Sequence, residues 1–168
     1  MKFVRLSVSA ILAVVGALSL TLTPAHAATA TTTFAVTATV NSNCTVTANP
    51  LAFGAYSGAA LNVSTTIAVT CTNTTPYNVG LSAGNGSGAS VTNRLMTNTS
   101  TGSTQTLSYQ LLSGSYTGTN WGNTSATNWV GGTGSGAAQT LTIYGVVPAS
   151  QYPTPGSYAD SITVTINY

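Results

Sequence analysis

The chain has 168 residues, of which three are basic and one is acidic, for a formal net charge of +2, while 43% are hydrophobic. That length suits a single domain with its own core, and with 2% charged residues its solubility rests on hydroxyls and amides. One Asp, no Glu and one His leave the chain short of the groups that general acid–base catalysis uses, and so few charges favour association.

Residues 1–27 read as a cleaved export signal. Lys2 and Arg5 form a positive start, residues 6–22 an apolar stretch, and Ala25-His26-Ala27 a small-x-small site, so that cleavage falls between Ala27 and Ala28. The apolar stretch approaches the length of a short membrane span, but Pro24 and the site behind it favour removal. No membrane span is expected in the mature chain. Cleavage takes away Lys2, Arg5 and His26 and leaves Arg94 and Asp160 as the only charged side chains. With no basic patch, nucleic acid is not expected as a partner.

The first mature segment alternates, with Phe34, Val36, Ala38 and Val40 on one side. Asn41-Ser42-Asn43 forms a turn or bend, and Cys44, Val46 and Ala48 share one side of the next strand. A third strand places Leu61, Val63, Ile67, Val69 and Cys71 on one face. Cys44 and Cys71 are the only cysteines, and behind an export signal they read as a structural disulfide. Two thiols without a histidine cannot make a four-ligand zinc site, so no metal and no cofactor is expected. The simplest geometry bridges the inward faces of two adjacent early strands.

Further strands are expected at Tyr77, Val79, Leu81 and Ala83, at Leu107, Tyr109 and Leu111, at Leu141, Ile143 and Val147, and at Ile162, Val164, Ile166 and Tyr168. Residues 84–90, 113–127 and 131–138, rich in Gly, Ser, Thr and Asn, read as loops. Six or more strands so spaced predict an all-β sandwich in one domain. Matches to the glycosylation sequon, among them Asn62, Asn85, Asn98 and Asn123, fall within what chance gives in a chain so rich in Asn, Ser and Thr.

No catalytic site is expected. A Ser-His-Asp triad lacks its base, a paired-carboxylate glycosidase its pair and a Ser-Lys dyad its lysine. The glycine clusters at 84–88 and 131–136 precede neither a helix nor a phosphate-loop lysine, and read as flexible loops. Trp121 and Trp129 could stack on a sugar ring, but core filling is the preferred reading. Nothing in the sequence places Arg94 and Asp160 together.

Together the Cys44/Cys71 pair, the segment RLMTNTS at 94–100, the ending YGVVPASQYPTPGSYADSITVTINY at 144–168 and the alternating N-terminal arm resemble the spore coat protein U domain family. That family includes the pilins of archaic chaperone–usher pili. The resemblance implies an incomplete immunoglobulin-like sandwich lacking its last strand, with a groove open beside the C-terminal strand. It implies that a periplasmic chaperone lends a strand in transit and that an outer-membrane usher replaces it with the arm of the next subunit, a form of strand addition.

On this resemblance residues 28–43 are the donor arm, with Phe34, Val36, Ala38 and Val40 as its inserting side chains, and residues 44–168 are the pilin domain. Ile162, Val164, Ile166 and Tyr168 then form the strand that pairs with the chaperone. The expected product is a fimbrium on the cell surface, a self-polymer of identical or related pilins that supports adhesion and biofilm formation. The arm argues for a shaft subunit over a tip adhesin. Two other readings are a secreted coat protein of spores or fruiting bodies, and a monomeric carbohydrate-binding sandwich using Trp121 and Trp129.

Overall fold

A computed structural model of the chain describes residues 27–124 and 127–168. The signal segment therefore lies outside the described residues, apart from Ala27. The chain divides near residue 38 into two units. Of the first unit, the described residues 27–38 have exposed side chains and no regular secondary structure. The expected strand at 34–40 is not formed, because an alternating segment without a partner has no ladder to complete its backbone hydrogen bonds.

Among the described residues, the second unit, from Thr39 to the end, holds ten strands. They are β1 (Cys44–Ala48), β2 (Leu61–Cys71), β3 (Pro76–Leu81), β4 (Arg94–Asn98), β5 (Thr106–Ser113), β6 (Thr119–Asn120), β7 (Val130–Thr133), β8 (Ala138–Val147), β9 (Tyr158–Ala159) and β10 (Val164–Asn167). Among the described residues no helix is long and apolar enough to cross a membrane. The larger sheet runs β1-β2-β8-β5-β4-β9, with β6 also paired to β5, and the smaller runs β10-β3-β7. The pairings are antiparallel.

β2 and β8 form the longest ladder, from Leu61 opposite Val147 to Thr70 opposite Ala138. Their alternation is the reason: Ile67, Val69, Ile143 and Val147 turn inward and are buried, while Ala68 and Thr70 of β2 and Tyr144 and Val146 of β8 between and beside them are partly exposed. Tyr77, Val79 and Leu81 of β3 meet them from the smaller sheet, with Leu107, Tyr109 and Leu111 of β5 completing the cluster. Fully burying side chains of this kind contributes roughly 1.5–3 kcal/mol each.

Cys44 and Cys71 lie directly opposite one another in the β1–β2 ladder and are bonded, with Cα atoms 4.1 Å apart. That is the expected bridge between adjacent strands.

Several expected boundaries are corrected. Ala83 lies beyond β3, which ends at Leu81, and the last strand spans four residues, with Ile162 before it and Tyr168 after it. The stretches expected as loops at 113–127 and 131–138 contain β6 and most of β7. β7 reads VGGT, and its glycines admit the neighbouring strand where larger residues would not: a Cβ at Gly132 would meet the Tyr77 ring at 2.5 Å.

Candidate strand-acceptor groove

β10 sits at the edge of the smaller sheet, paired on one side only, with Val164 opposite Leu81 and Ile166 opposite Val79. Ile162, Val164 and Ile166 are half-buried against the core, whereas Thr163, Thr165 and Asn167 are exposed. The parity expected for the last strand therefore holds through Ile166, and Tyr168 is exposed at its end. An edge of this kind presents unpaired backbone N–H and C=O groups.

Beside that edge lies a cavity of about 1100 Å³ between the two sheets. Its floor is apolar, built by Leu107 and Tyr109 of β5, Ile143 and Val147 of β8, and Leu81 and Val164 of the smaller sheet. The β1–β2 loop forms part of the lining. Leu51 and Phe53 pack over Gly145, where a Cβ would come within 2.7 Å of Leu51 and 2.9 Å of Phe53. The Phe53 ring meets Tyr109 edge-on, with centroids 5.9 Å apart. Tyr56 secures the end of this loop, since its hydroxyl donates to the Pro148 carbonyl at 2.8 Å and accepts the Gln151 amide at 3.0 Å. In the sequence this loop carries only one signal, the shared parity of Leu51 and Phe53.

Two residues of the cavity lining, Tyr109 and Asp160, belong to a polar cluster that extends to Arg94. Arg94 is fully buried, and its guanidinium donates to the carbonyls of Ser82, Val91, Leu81 and Trp121 at 2.8, 2.9, 3.2 and 2.6 Å. Tyr109, its register partner across β4 and β5, donates to Asp160 Oδ2 at 2.6 Å. The chain's sole acidic residue thus reaches Arg94's strand partner, a juxtaposition that nothing in the sequence had indicated. Burial lowers the Arg94 pKa from its ordinary value. Burial, and then the hydrogen bond to Asp160, raise that of the Tyr109 phenol.

Trp121 is 1% exposed and donates its indole N–H to the Val79 carbonyl at 2.8 Å, so it fills the core and offers no face to a sugar. Trp129 is half-buried, with its Nε1 against Gly80. The carbohydrate-platform reading loses one of its two rings. Phe34, Val36 and Val40 are 85%, 82% and 86% exposed, and Ala38 is exposed with them.

Among solved structures the chain is similar to the CsuC–CsuE chaperone–tip adhesion subunit pre-assembly complex from archaic chaperone–usher Csu pili of Acinetobacter baumannii. The identity is 23% and the TM-score 0.56, over 77% of this chain and 40% of that one. The E. coli Hda pilus minor tip subunit, HdaB, aligns at 17% identity and a TM-score of 0.34, over 74% of this chain and 79% of that one. Comparison with curated protein sequences finds no match. The fold is the all-β, incomplete immunoglobulin-like sandwich that the resemblance implied. The model of the Spore Coat Protein U domain matches residues 30–165, and the chain belongs to that family.

Proposed function

We propose that the chain is a structural subunit of a chaperone–usher fimbrium, and that it polymerises by accepting a strand from a neighbour beside β10. The observation that carries this reading is the apolar cavity flanking an edge strand whose inward side chains already belong to the core. The donor is residues 28–43 of the next copy, whose Phe34, Val36, Ala38 and Val40 alternate and stand exposed. Burying one phenylalanine and two valines contributes on the order of 5 kcal/mol or more before backbone pairing is counted. Added strand hydrogen bonds complete the edge.

In this reading residues 1–27 direct export and are removed, a periplasmic chaperone covers the groove in transit, and an outer-membrane usher exchanges it for the donor arm. The subunit belongs to the shaft of a surface fibre that serves adhesion and biofilm formation. The kinship of the Csu complex, which pairs a pilus subunit with a chaperone, supports such a partner.

The test is co-expression with a candidate chaperone and usher, followed by gel analysis without boiling. Ladders of SDS-resistant multimers are expected, and Val36→Glu with Val40→Glu abolishes them. If the chain without residues 28–43 stays a stable soluble monomer that ignores an added arm peptide, the reading is wrong.

A further inference from the structure

Arg94 and Asp160 are the only Lys, Arg, Asp or Glu residues after Arg5. Neither stands free on the surface: Arg94 is buried and Asp160 half-buried. Both act on one short piece of backbone. β9 pairs with β4 in the larger sheet and β10 with β3 in the smaller, so residues 160–163 carry the chain from one sheet to the other.

Two hydrogen-bonded threads hold that crossover. One starts at Tyr109, whose phenol donates to Asp160 Oδ2 at 2.6 Å, while Oδ1 accepts the amides of Asn85 and Ser161, each at 2.7 Å. The other starts at Arg94, whose Nε donates to the Ser82 carbonyl at 2.8 Å. Ser82 Oγ accepts the Thr163 amide at 2.9 Å, and the Ser82 amide donates to the Thr163 carbonyl at 3.0 Å. The threads begin at residues that face each other across β4 and β5. Gly84 supplies the space, since its φ is +89° and a Cβ there would overlap the Asp160 carboxylate.

β10 needs such help. It pairs with β3 over four residues, and a slip of one residue would turn Val164 and Ile166 outward and Thr165 inward. We propose that Asp160, through Tyr109, and Arg94, through Ser82, are positioning residues for strand acceptance: they fix the crossover 160–163 and so the register of β10 before a donor arrives. The acceptor edge is thereby organised in advance, which lowers the ordering cost of pairing. The inference rests on the donor-strand reading above for its role in assembly.

The test reads register and capture separately in the secreted chain. Asn78 and Asn167 are exposed register partners, so an Asn78→Cys/Asn167→Cys pair crosslinks only when β10 keeps its register. Capture is followed by the fluorescence anisotropy of a dye-labelled synthetic peptide of residues 28–43. Asp160→Ala is expected to cut the crosslink yield about fivefold and slow capture about tenfold, as expected for a mispaired edge strand. Tyr109→Phe and Gly84→Ala move both in the same direction by smaller factors. Asp160→Asn, whose amide oxygen still accepts from Asn85 and Ser161, recovers most of the yield.

Melting temperature is measured alongside. A fall in melting temperature with crosslinking and capture unchanged well below it would mean a merely structural role and overturn the proposal. If Asp160→Ala does not fold, Tyr109→Phe decides by the same two readings. If the parent chain captures no peptide, the donor-strand reading fails; a yield that still depends on Asp160 then retains the positioning of β10 alone.

Discussion

Tyr109 shows how one residue's surroundings set a measurable property. Its ring is buried against Phe53 and its hydroxyl is committed to Asp160, so the neutral phenol is favoured and its pKa lies above the ordinary tyrosine value near 10. In the unfolded chain the same phenol ionises near pH 10. The stabilisation is therefore complete below pH 10 and is lost as pH rises above it, by about 1.4 kcal/mol per pH unit while the folded group stays neutral. Denaturant titrations between pH 8 and 11 should show that decline, and Tyr109→Phe should flatten it. Arg94 was legible in the sequence as the body's lone cation but not as a buried one, because its four carbonyl partners come from segments that only the fold assembles.

At the scale of elements, the β1–β2 pair is covalently closed. A loop of 28 residues from Cys44 to Cys71 loses entropy in the unfolded state when bridged, worth about 3–4 kcal/mol. The double change Cys44→Ala with Cys71→Ala is expected to lower unfolding free energy by that amount, read from urea midpoints. β8 has a different vulnerability. Gly145 faces inward where Leu51 and Phe53 cross it, so Gly145→Val must push the β1–β2 loop aside and cost about 1–3 kcal/mol. The same change should quench the Phe53–Tyr109 contact, visible as a shift in near-ultraviolet circular dichroism. β2, β3, β5 and β8 were readable because each places several apolar residues at period two. β4, β6, β7 and β9 were not: they are short, glycine-bearing or polar, and pair only because neighbouring strands offer an edge.

Across the described residues taken together, charge plays almost no part on the surface. The body's cation is buried and its anion is held by three donors. Screening acts on exposed charges, so changing NaCl from about 0.05 to 1 M should move the unfolding midpoint little. A shift of many degrees would show that surface ion pairs matter. The two sheets meet over an apolar core, and the cavity beside β10 opens between them. A chain with such an edge is prone to pair with another chain, which is why the arm and the groove belong in a single proposal.

By itself the sequence determined the all-β class, the disulfide pairing and the inward parity of the principal strands, since these depend on local periodicity and on a cysteine count of two. The parity of the last strand was equally plain, with Ile162, Val164 and Ile166 on one side. Only the tertiary structure decided that this strand lies at an edge beside a cavity, that Trp121 is core, and that Arg94, Tyr109 and Asp160 form one cluster. The physical reason is that alternation states which side of a strand is apolar, whereas neighbours, cavities and buried polar partners arise from contacts between residues far apart in the chain.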